Sequence, residues 1–266
     1  MDKRILIYVL AFMLLALPAR AAGAKAAPDS FTVKVITYNI AGLPDAITSN
    51  RKLTSTKDRF AYIGEKLKNY DIVAVQEAFI SQREIIEKKL GSYYVVHGTD
   101  NSRVSTPGSG VYTFSKWPVT ESHYEKWEHL AGADALSLKG FVAATIVVSP
   151  ELSIDVYNLH GQTGKTEDKY DIKIKNFARL AKYMDYQSGG SGRPVLLLGD
   201  FNVKAGDPVW KSIVEGMGVA MIPDPVEKRP DHIFYKENGS GWKITVVDTG
   251  TDFTEPLKGE RLSDHF

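Results

Sequence analysis

Polar side chains that can bind a cation or move a proton recur at the ends of apolar runs in this sequence. The residues are Asn39, Glu77, Asn158, His160, Asp200, Asn202 and Asp231. A carboxylate that follows four or five buried apolar residues costs desolvation energy unless it is paired or bound to a cation. One such residue alone would indicate a strand cap or a turn. Their recurrence predicts a shared metal or hydrogen-bonded site where strand ends converge.

The absence of cysteine restricts the chemistry that this chain can perform. With no Cys among 266 residues, disulfides, thiolate zinc sites, iron–sulfur clusters and a cysteine nucleophile are excluded. The segment 161–166 resembles the end of a P-loop, but that motif needs glycine at position 159, which is Leu159. No H-E-x-x-H motif is present, and neither Ser109 nor Ser191 lies in a G-x-S-x-G motif. Any catalysis must therefore use oxygen and imidazole groups.

Composition and charge describe a globular chain with no strong preference for polyanions. Hydrophobic residues make up 43% of the sequence and charged residues 24%, so the chain can bury a core. No long Pro/Gly/Ser-rich linker divides it, which favours one large domain over two small ones. The formal net charge of +1 argues against a protein that holds nucleic acid mainly by excess positive charge.

The first 21 residues have the pattern of an export signal. Lys3 and Arg4 precede an apolar run of 13 residues, and small residues then flank a cleavage point after Ala21. Because a membrane-spanning helix needs about 20 apolar residues, a retained anchor is the weaker alternative. We therefore expect a signal peptide at 1–21, a flexible segment at 22–30 and one domain at 31–266. A large core needs no disulfides after export, which favours a secreted or periplasmic bacterial protein.

Hydrophobic periodicity predicts the elements that must position the polar groups. Alternating or continuous apolar runs predict strands, and apolar residues three or four positions apart predict helices. Strands are expected at 31–40, 71–75, 92–96, 110–115, 141–149, 152–159, 193–198, 231–235 and 242–248, and helices at 56–69, 81–90 and 168–186. The segment Asn238–Gly241 should turn the chain between the last two strands, forming a hairpin. Strands outnumber helices, which indicates a layered α/β or α+β sandwich.

Seven motifs, taken in order, resemble those of the endonuclease/exonuclease/phosphatase superfamily of metal-dependent phosphoesterases. They are TYNI, VQEA, SGVYTFSKWP, NLHGQT, LLLGDFNV, RPDHIFY and LSDHF, between residue 31 and the end of the chain. The AGLP segment after Asn39 and the segment Ser137–Phe141 resemble the neutral sphingomyelinase and phospholipase C-like branch. The resemblance implies a DNase I-like fold, a four-layer α/β (α+β) sandwich of two stacked mixed β-sheets flanked by helices.

The resemblance also implies a Mg²⁺ site, with Mn²⁺ as the alternative ion. Glu77 would be the main ligand, Asn39 would supply a second oxygen, and Asp264 would add to the metal or its water shell. This set suits Mg²⁺, which prefers hard oxygen donors, keeps several waters and takes one or two carboxylates from the protein.

The same resemblance implies how a proton would move. His265 would be the general base that deprotonates the attacking water, since an imidazole pKa of about 6.5 lies near working pH. Asp231 would orient that imidazole and stabilise its charged form. Asp200 would position the water. The chain stops one residue after His265, whereas relatives continue into a strand. Two alternatives follow: the base is loosely held and catalysis is weak, or this sequence is a shortened version of a longer protein.

Four further residues are expected to contact or support the phosphate. Asn202 and His160 would donate hydrogen bonds to its non-bridging oxygens as charge develops there. Lys139 would contact the phosphate, and Asn158 would support the site from behind. His232 adjoins Asp231 but should face the opposite side of its strand, which predicts a structural role.

Aromatic side chains at Trp117, Tyr124 and Trp127 suggest either a lipid-facing ridge beside the site or ordinary packing.

Together these features predict an exported Mg²⁺-dependent phosphodiesterase that cleaves a phospholipid headgroup, in the manner of a sphingomyelinase or phospholipase C. Three alternatives remain open. The chain could be an exported nuclease acting on DNA or RNA, a phosphatase acting on a soluble inositol phosphate, or an inactive relative that binds lipid or protein.

Overall fold

The computed structural model describes residues 4–8, 12–15, 30–43, 54–100, 107–223 and 229–265. The strands are β1 (Arg4–Tyr8), β2 (Phe12–Leu15), β3 (Thr32–Gly42), β4 (Ile72–Ala78), β5 (Tyr94–His97), β6 (Tyr112–Ser115), β7 (Val119–Lys126), β8 (Gly140–Ser149), β9 (Leu152–His160), β10 (Val195–Asp200), β11 (Ala220–Met221), β12 (Asp231–Lys236) and β13 (Ile244–Asp248). The α-helices are α1 (Thr56–Leu67), α2 (Glu84–Lys89), α3 (Glu167–Ser188) and α4 (Trp210–Met217). Short 3-10 helices cover Ser81–Arg83 and Gly132–Leu136.

The strands form two mixed sheets. One has the order β13-β2-β1-β3-β4-β6-β5, and its central pair, β3 and β4, is parallel. The other has the order β11-β12-β10-β9-β8-β7, in which β10 is parallel to β9 and antiparallel to β12. No helix within the described ranges is both long and apolar enough to cross a membrane.

Among the described residues, three apolar clusters hold four layers together. The first lies between the two sheets, where Val35 and Ile72 of one sheet belong to the same cluster as Ile146 and Leu198 of the other. The second cluster joins the six-stranded sheet to α3 and α4, and the third joins the seven-stranded sheet to α1 and α2. The predicted four-layer sandwich of two mixed sheets flanked by helices is therefore confirmed.

Strand register brings the polar residues at the strand ends to one level. Asp200, the last residue of β10, pairs with His160 on one side and with Asp231 on the other. The preceding Gly199 has a φ of 145°, and a Cβ there would lie 2.1 Å from the carbonyl oxygen of Leu159. Only glycine fits this close approach, and it allows β10 to carry Asp200 between its two neighbours.

Buried amides connect the two sheets behind this level. Asn158 of β9 accepts a hydrogen bond from Gln76 Nε2 at 2.7 Å and donates to the carbonyl of Tyr112 at 2.9 Å. Gln76 also donates to Thr37 Oγ1 at 3.0 Å. Asn158 is fully buried, so it joins the sheets and supports the site from behind.

Two departures from the predicted elements have physical causes. The predicted hairpin of 231–235 and 242–248 is wrong, because β12 pairs with β10 in one sheet while β13 pairs with β1 and β2 in the other. Strand β7, whose side chains are mostly exposed and polar, was not predicted. The short helix α4 was also missed, although its apolar residues Trp210, Ile213, Val214 and Met217 have helical spacing.

The N-terminal predictions fall largely outside the described residues. The structure describes β1 and β2, a backbone pair beside β3, within the predicted signal segment 1–21. The predicted cleavage point after Ala21 lies outside the described residues, as does the segment 22–29. The signal peptide stays a prediction.

The Asn158 contacts predict a large stability cost for a small substitution. Asn158→Ala removes a partner from buried polar groups of the seven-stranded sheet, Gln76 Nε2 and the Tyr112 carbonyl, each worth about 1–3 kcal/mol. We expect the free energy of unfolding, measured by urea denaturation, to fall by about 2–4 kcal/mol. Asn69→Ala, at an exposed position, is the control and should change it little. If Asn158→Ala lowered the free energy of unfolding no more than Asn69→Ala does, Asn158 would not be important for joining the two sheets.

Candidate active site

Acidic, amide and imidazole groups from both sheets meet at one rim of the sandwich. The contributing positions are the ends of β3, β4, β9 and β10, the start of β12, and the segment after β13 that carries His265. Among the described residues, two triads have ligand atoms that all lie within 4.8 Å of one another. They are Glu77, His160 and Asp200, and Asp200, Asp231 and His265. Asp200 belongs to both and joins them.

Asn39 links the two carboxylates of the first triad. Its Nδ2 donates to Glu77 Oε1 and to Asp200 Oδ2, both at 3.0 Å, and its Oδ1 accepts the backbone N–H of Ala41 at 3.0 Å. The amide nitrogen therefore faces the carboxylates, and the oxygen is held by the loop. Asn39 lies beside the expected ligands, but its own place as a metal ligand stays a prediction.

Backbone strain occurs at three positions around this amide. Ala41, Glu77 and Asn202 all have positive φ values, of 46°, 57° and 53°. Non-glycine residues adopt this left-handed region only where surrounding contacts hold them in it, and such residues are common at functional sites. Glu77 and Asn202 carry polar side chains of the site, and Ala41 lies two residues after Asn39.

The two carboxylates are costly to hold in a protein without a cation. Burial raises the pKa of Glu77, an effect that the nearby charges of Asp200 and Asp264 increase and that Asn39 and Lys139 oppose. Burial and the charge of Asp231 raise the pKa of Asp200 to about 6. Two neighbouring carboxylates that both resist ionisation suit a hard divalent cation, whose charge would stabilise both anions.

His160 completes the first triad as a neutral imidazole. Its ring is fully buried, and neither ring nitrogen has a hydrogen-bond partner within the described part of the chain. Its Nε2 lies 3.4 Å from Asp200 Oδ2 and 3.9 Å from Glu77 Oε1. Burial holds the pKa of His160 well below its usual value. An unpartnered Nε2 beside two carboxylates is an arrangement that a bound ligand would satisfy.

His265 has the opposite electrostatic environment. Burial alone would lower its pKa, but the hydrogen bond and charge of Asp231, with the charges of Asp200 and Asp264, raise it to about 9. Its Nδ1 lies 2.7 Å from Asp231 Oδ2, and its Nε2 lies 3.8 Å from Asp200 Oδ2. Asp231 thus fixes the ring so that Nε2 faces the carboxylates, the orientation expected of a proton acceptor.

Asn202 lies on the loop after β10 and is fixed at both ends. Its backbone N–H donates to Asp200 Oδ1 at 2.9 Å, and its Nδ2 donates to the carbonyl of Gly161 at 3.2 Å. Lys173 of α3 donates to the Asn202 carbonyl at 2.8 Å and to that of Gly164 at 2.6 Å. This buried lysine joins the loops after β9 and β10.

Lys139 is part of a buried ion pair at the edge of the site. Its Nζ lies 2.7 Å from Asp134 Oδ1, and both side chains are less than a tenth exposed. Asp134 also accepts the backbone N–H of Thr163 at 2.7 Å and Gln162 Nε2 at 2.8 Å. Lys139 is therefore held by a carboxylate, and a phosphate contact by it stays a prediction.

Asp264 lies outside both triads. Its side chain is exposed, and its Oδ1 lies 3.3 Å from Ser263 Oγ. Its charge still acts on Glu77 and His265, raising the pKa of each. A place for Asp264 in the metal's water shell stays a prediction.

The remaining residues named from the sequence, His232 and the aromatic residues, have structural contacts. His232 is buried and its Nε2 lies 2.7 Å from the Val203 carbonyl oxygen, as expected for a structural residue. The lipid-facing ridge is wrong, because Trp127 is 2% exposed, packs against Phe141 and donates from Nε1 to the His160 carbonyl. Tyr124 donates to the Leu138 carbonyl. Trp127 instead supports the strand end that carries His160.

Sequence reasoning missed several buried charged residues, among them Lys173, Asp134 and Arg59. A signal was present for two of them. Lys173 continues the apolar spacing of Phe177, Leu180 and Met184 on α3, and Arg59 lies four residues before Ile63 on α1. A charged residue at a core position of a helix must bind a polar group. Asp134 lies in an irregular segment and gave no such signal.

A family model described as "Endonuclease/Exonuclease/phosphatase family" matches residues 36–265. The chain belongs to this family. The matched range contains all the strand ends that form the two triads, so the family resemblance and the geometry concern the same residues.

Individual proteins are similar in sequence to most of this chain. A sphingomyelinase of Mycobacterium bovis is 30% identical over 260 residues, covering 87% of this chain and 50% of the relative. A Staphylococcus aureus phospholipase C is 24% identical over 242 residues, covering 82% of this chain and 72% of the relative. The chain thus spans about half the length of the mycobacterial relative. The expected similarity to proteins named sphingomyelinase and phospholipase C is confirmed.

Solved structures of Staphylococcus aureus beta toxin share the fold. One superposes with a TM-score of 0.74 at 20% identity, covering 88% of this chain and 97% of the toxin chain. A beta toxin variant with bound magnesium ions has a TM-score of 0.66 at 19% identity, covering 77% and 84% of the two chains. At these identities the likeness establishes the shared fold.

Because the carboxylates of Glu77 and Asp200 lie close together, removing one charge should stabilise the metal-free protein and weaken metal binding. Glu77→Gln removes one of two repelling charges but keeps an oxygen for Asn39, so the metal-free variant should melt a few degrees higher than the wild type at pH 8. The stabilisation that Mg²⁺ or Mn²⁺ gives the wild type should be lost. Differential scanning calorimetry with and without each metal measures both effects. Glu84→Gln, at an exposed site, is the control. A variant that keeps the metal-induced shift would contradict a cation site at Glu77.

Proposed function

We propose that this chain is an exported, Mg²⁺-dependent phosphodiesterase that hydrolyses a phospholipid headgroup, in the manner of a sphingomyelinase or phospholipase C. The observation that carries the proposal is the pair of triads sharing Asp200. One side offers two carboxylates and a neutral imidazole, and the other offers an imidazole oriented by a carboxylate. Water activation and stabilisation of phosphoryl charge need these two kinds of group next to each other.

Glu77 and Asp200 would hold the cation, with Asn39 beside them. The fit rests on their raised pKa values and on the unpartnered nitrogens of His160 nearby. When bound, Mg²⁺ supplies charge neutralisation for the phosphoryl group and the leaving oxygen. Mn²⁺ prefers similar oxygen ligands and is the alternative ion.

His265 would accept the proton of the attacking water at Nε2, while Nδ1 donates to Asp231. The water oxygen then forms a bond to phosphorus, the phosphate ester bond on the lipid side breaks, and the departing lipid oxygen takes a proton from solvent water. Asp231 stabilises the imidazolium that results, and Asp200 lies close enough to Nε2 to orient the water. The charges of Asp231, Asp200 and Asp264 favour the charged imidazole, so neutralising these carboxylates would lower the pKa of His265 towards the range of a base.

His160 and Asn202 would face the phosphate oxygens. A neutral imidazole carries one N–H donor, and a donor in this water-poor site stabilises developing charge more than it would in water. Lys139 would add positive charge from its ion pair with Asp134, at the edge of the same cluster.

A lipid substrate is favoured by two observations. Relatives similar over most of this chain are named sphingomyelinase and phospholipase C. The near-neutral chain lacks the excess positive charge that a nuclease uses to hold a polyanion. Export is supported by the basic, apolar and small-residue pattern of residues 1–21.

A substrate panel tests this proposal. Vesicles of sphingomyelin or phosphatidylcholine, supercoiled plasmid and a soluble inositol phosphate are each incubated with Mg²⁺, with Mn²⁺ and with EDTA. We expect release of the phosphorylated headgroup from vesicles, loss of this activity in EDTA, and its recovery on adding Mg²⁺. The protein is taken from the culture medium or periplasm, and mass spectrometry should show that residues 1–21 are removed.

Other outcomes of the panel would contradict the proposal in specific ways. Plasmid cleavage that falls steeply with salt, without headgroup release, would indicate a nuclease. Hydrolysis of the inositol phosphate alone would indicate a phosphatase. Binding to vesicles without turnover, unchanged by Mg²⁺, would indicate an inactive binding protein. An uncleaved protein confined to the cytoplasm would contradict export.

The orientation of the base gives a separate prediction. Asp231→Asn keeps the size of the side chain but removes the charge that stabilises the imidazolium, so kcat should fall by about 10³–10⁴-fold while KM changes little. Steady-state kinetics on sphingomyelin vesicles measures both constants. Asp248→Asn, exposed at the end of β13, is the matched control. A kcat within a factor of ten of the wild type would show that Asp231 does not support the base.

A further inference from the structure

The segment that carries His265 belongs to no helix or strand, yet side chains tie it to α1. The backbone N–H of Thr54 donates to Glu260 Oε2 at 2.8 Å, and its Oγ1 donates to the Leu257 carbonyl at 3.0 Å. Lys258 Nζ donates to Asp58 Oδ2 at 3.1 Å. The start of α1 is therefore the platform on which this segment lies.

Arg59 makes the deepest of these links. Its side chain is buried, with the residue only 2% exposed, and its guanidinium donates to three backbone carbonyls. Nη1 donates to Ile40 and, at 2.8 Å, to Leu262, and Nη2 donates to Ala41 at 3.0 Å. Ile40 directly follows Asn39, and Leu262 lies three residues before His265. The guanidinium of Arg59 thus joins the backbone that follows Asn39 to the segment that carries His265.

Ser263 makes a second link one residue further along. Its hydroxyl donates to the Asn39 carbonyl at 2.7 Å and accepts the backbone N–H of His265 at 3.1 Å. Leu262 and Ser263 are both buried, so the segment is fixed on its inner side. Of the two alternatives that the sequence left open for His265, the loose attachment is therefore wrong.

The geometry explains why arginine, and not another cation, stands at position 59. A guanidinium is planar and holds its donors in a fixed fork, whereas a lysine ammonium is a single point on a flexible stem. The guanidinium carbon lies 4.6 Å from the centre of the Phe60 ring, which restricts its rotation. Its partner Ala41 has the strained φ of 46°, a conformation that needs such support.

We propose that Arg59 is a positioning residue that sets the distance between His265 and the carboxylates around Asn39, with Ser263 as its auxiliary. This inference rests on the proposed function, since it assumes that His265 acts as the base. Arg59 touches backbone carbonyls of the site's loops, so its loss should misplace the base without removing any substrate contact. Turnover should therefore fall while KM is maintained.

Arginine variants with a matched control test this proposal. Arg59→Met and Arg59→Lys are compared with Arg193→Met, because Arg193 is a partly buried arginine away from the site that binds a buried carboxylate, Asp155, at 2.8 Å. Thermal unfolding, kcat and KM on sphingomyelin vesicles, and the NMR signal of the His265 imidazole are measured for each. The imidazole signal is assigned by its absence in His265→Ala and is recorded in metal-free protein and with Mg²⁺.

The expected result separates positioning from stability. Both methionine variants should melt at lower temperature, but only Arg59→Met should lose about 10–100-fold in kcat and shift or broaden the His265 signal. Arg59→Lys should keep part of the wild-type kcat and show a smaller change in the His265 signal. Should Arg59→Met lose only stability, with kcat and the His265 signal unchanged, Arg59 would be a structural residue and the proposal would fail.

A second variant covers the case in which Arg59→Met does not fold. Ser263→Ala removes only the hydroxyl link, and the same pattern of lowered kcat, maintained KM and altered His265 signal is expected on a smaller scale. Wild-type behaviour of Ser263→Ala would then overturn the proposal. If the wild-type protein hydrolyses no phosphodiester, the proposed function fails, while the His265 signal still decides whether Arg59 positions the ring.

Discussion

The site depends on holding two carboxylates together at a place where water is scarce. Glu77 comes from one sheet and Asp200 from the other, and a single amide nitrogen of Asn39 contacts both at 3.0 Å. Burial and the charge of Asp200 raise the pKa of Glu77, and burial and the charge of Asp231 raise the pKa of Asp200. The packing of the two sheets therefore sets how near the charges come. Contacts such as those of Asn158 with Gln76 fix that packing directly behind them.

Two imidazoles near Asp200 are tuned in opposite directions. Burial keeps His160 neutral, whereas Asp231 and its acidic neighbours favour the charged form of His265. Pairs of titratable groups with pKa values pushed apart are the usual way in which one site separates a proton acceptor from a hydrogen-bond donor. This asymmetry arises from the fold, because His160 ends a central strand while His265 lies on a segment at the rim.

Local sequence patterns were sufficient for the strand ends but not for the contacts between strands. The apolar runs before Glu77 and Asp200 predicted both strands and the polar residues that end them. That Asp200 pairs with His160 and Asp231 depends on register across the sheet, which only the assembled fold determines. The hairpin prediction failed for the same reason. A turn at Asn238–Gly241 can join two neighbouring strands of one sheet, or it can join a strand of one sheet to a strand of the other. Strand β7 escaped notice because an exposed edge strand needs no apolar alternation. Trp127 was ambiguous because an aromatic residue suits a core as well as a lipid surface.

Anomalous diffraction from crystals soaked in Mn²⁺ tests the central claim most directly. We expect one strong anomalous peak at the rim, within bonding distance of oxygen atoms of both Glu77 and Asp200, with the His265 ring still bonded to Asp231. A peak bound elsewhere, or no peak in crystals that diffract well at saturating Mn²⁺, would contradict the account that the two sheets are packed to hold one divalent cation between these carboxylates.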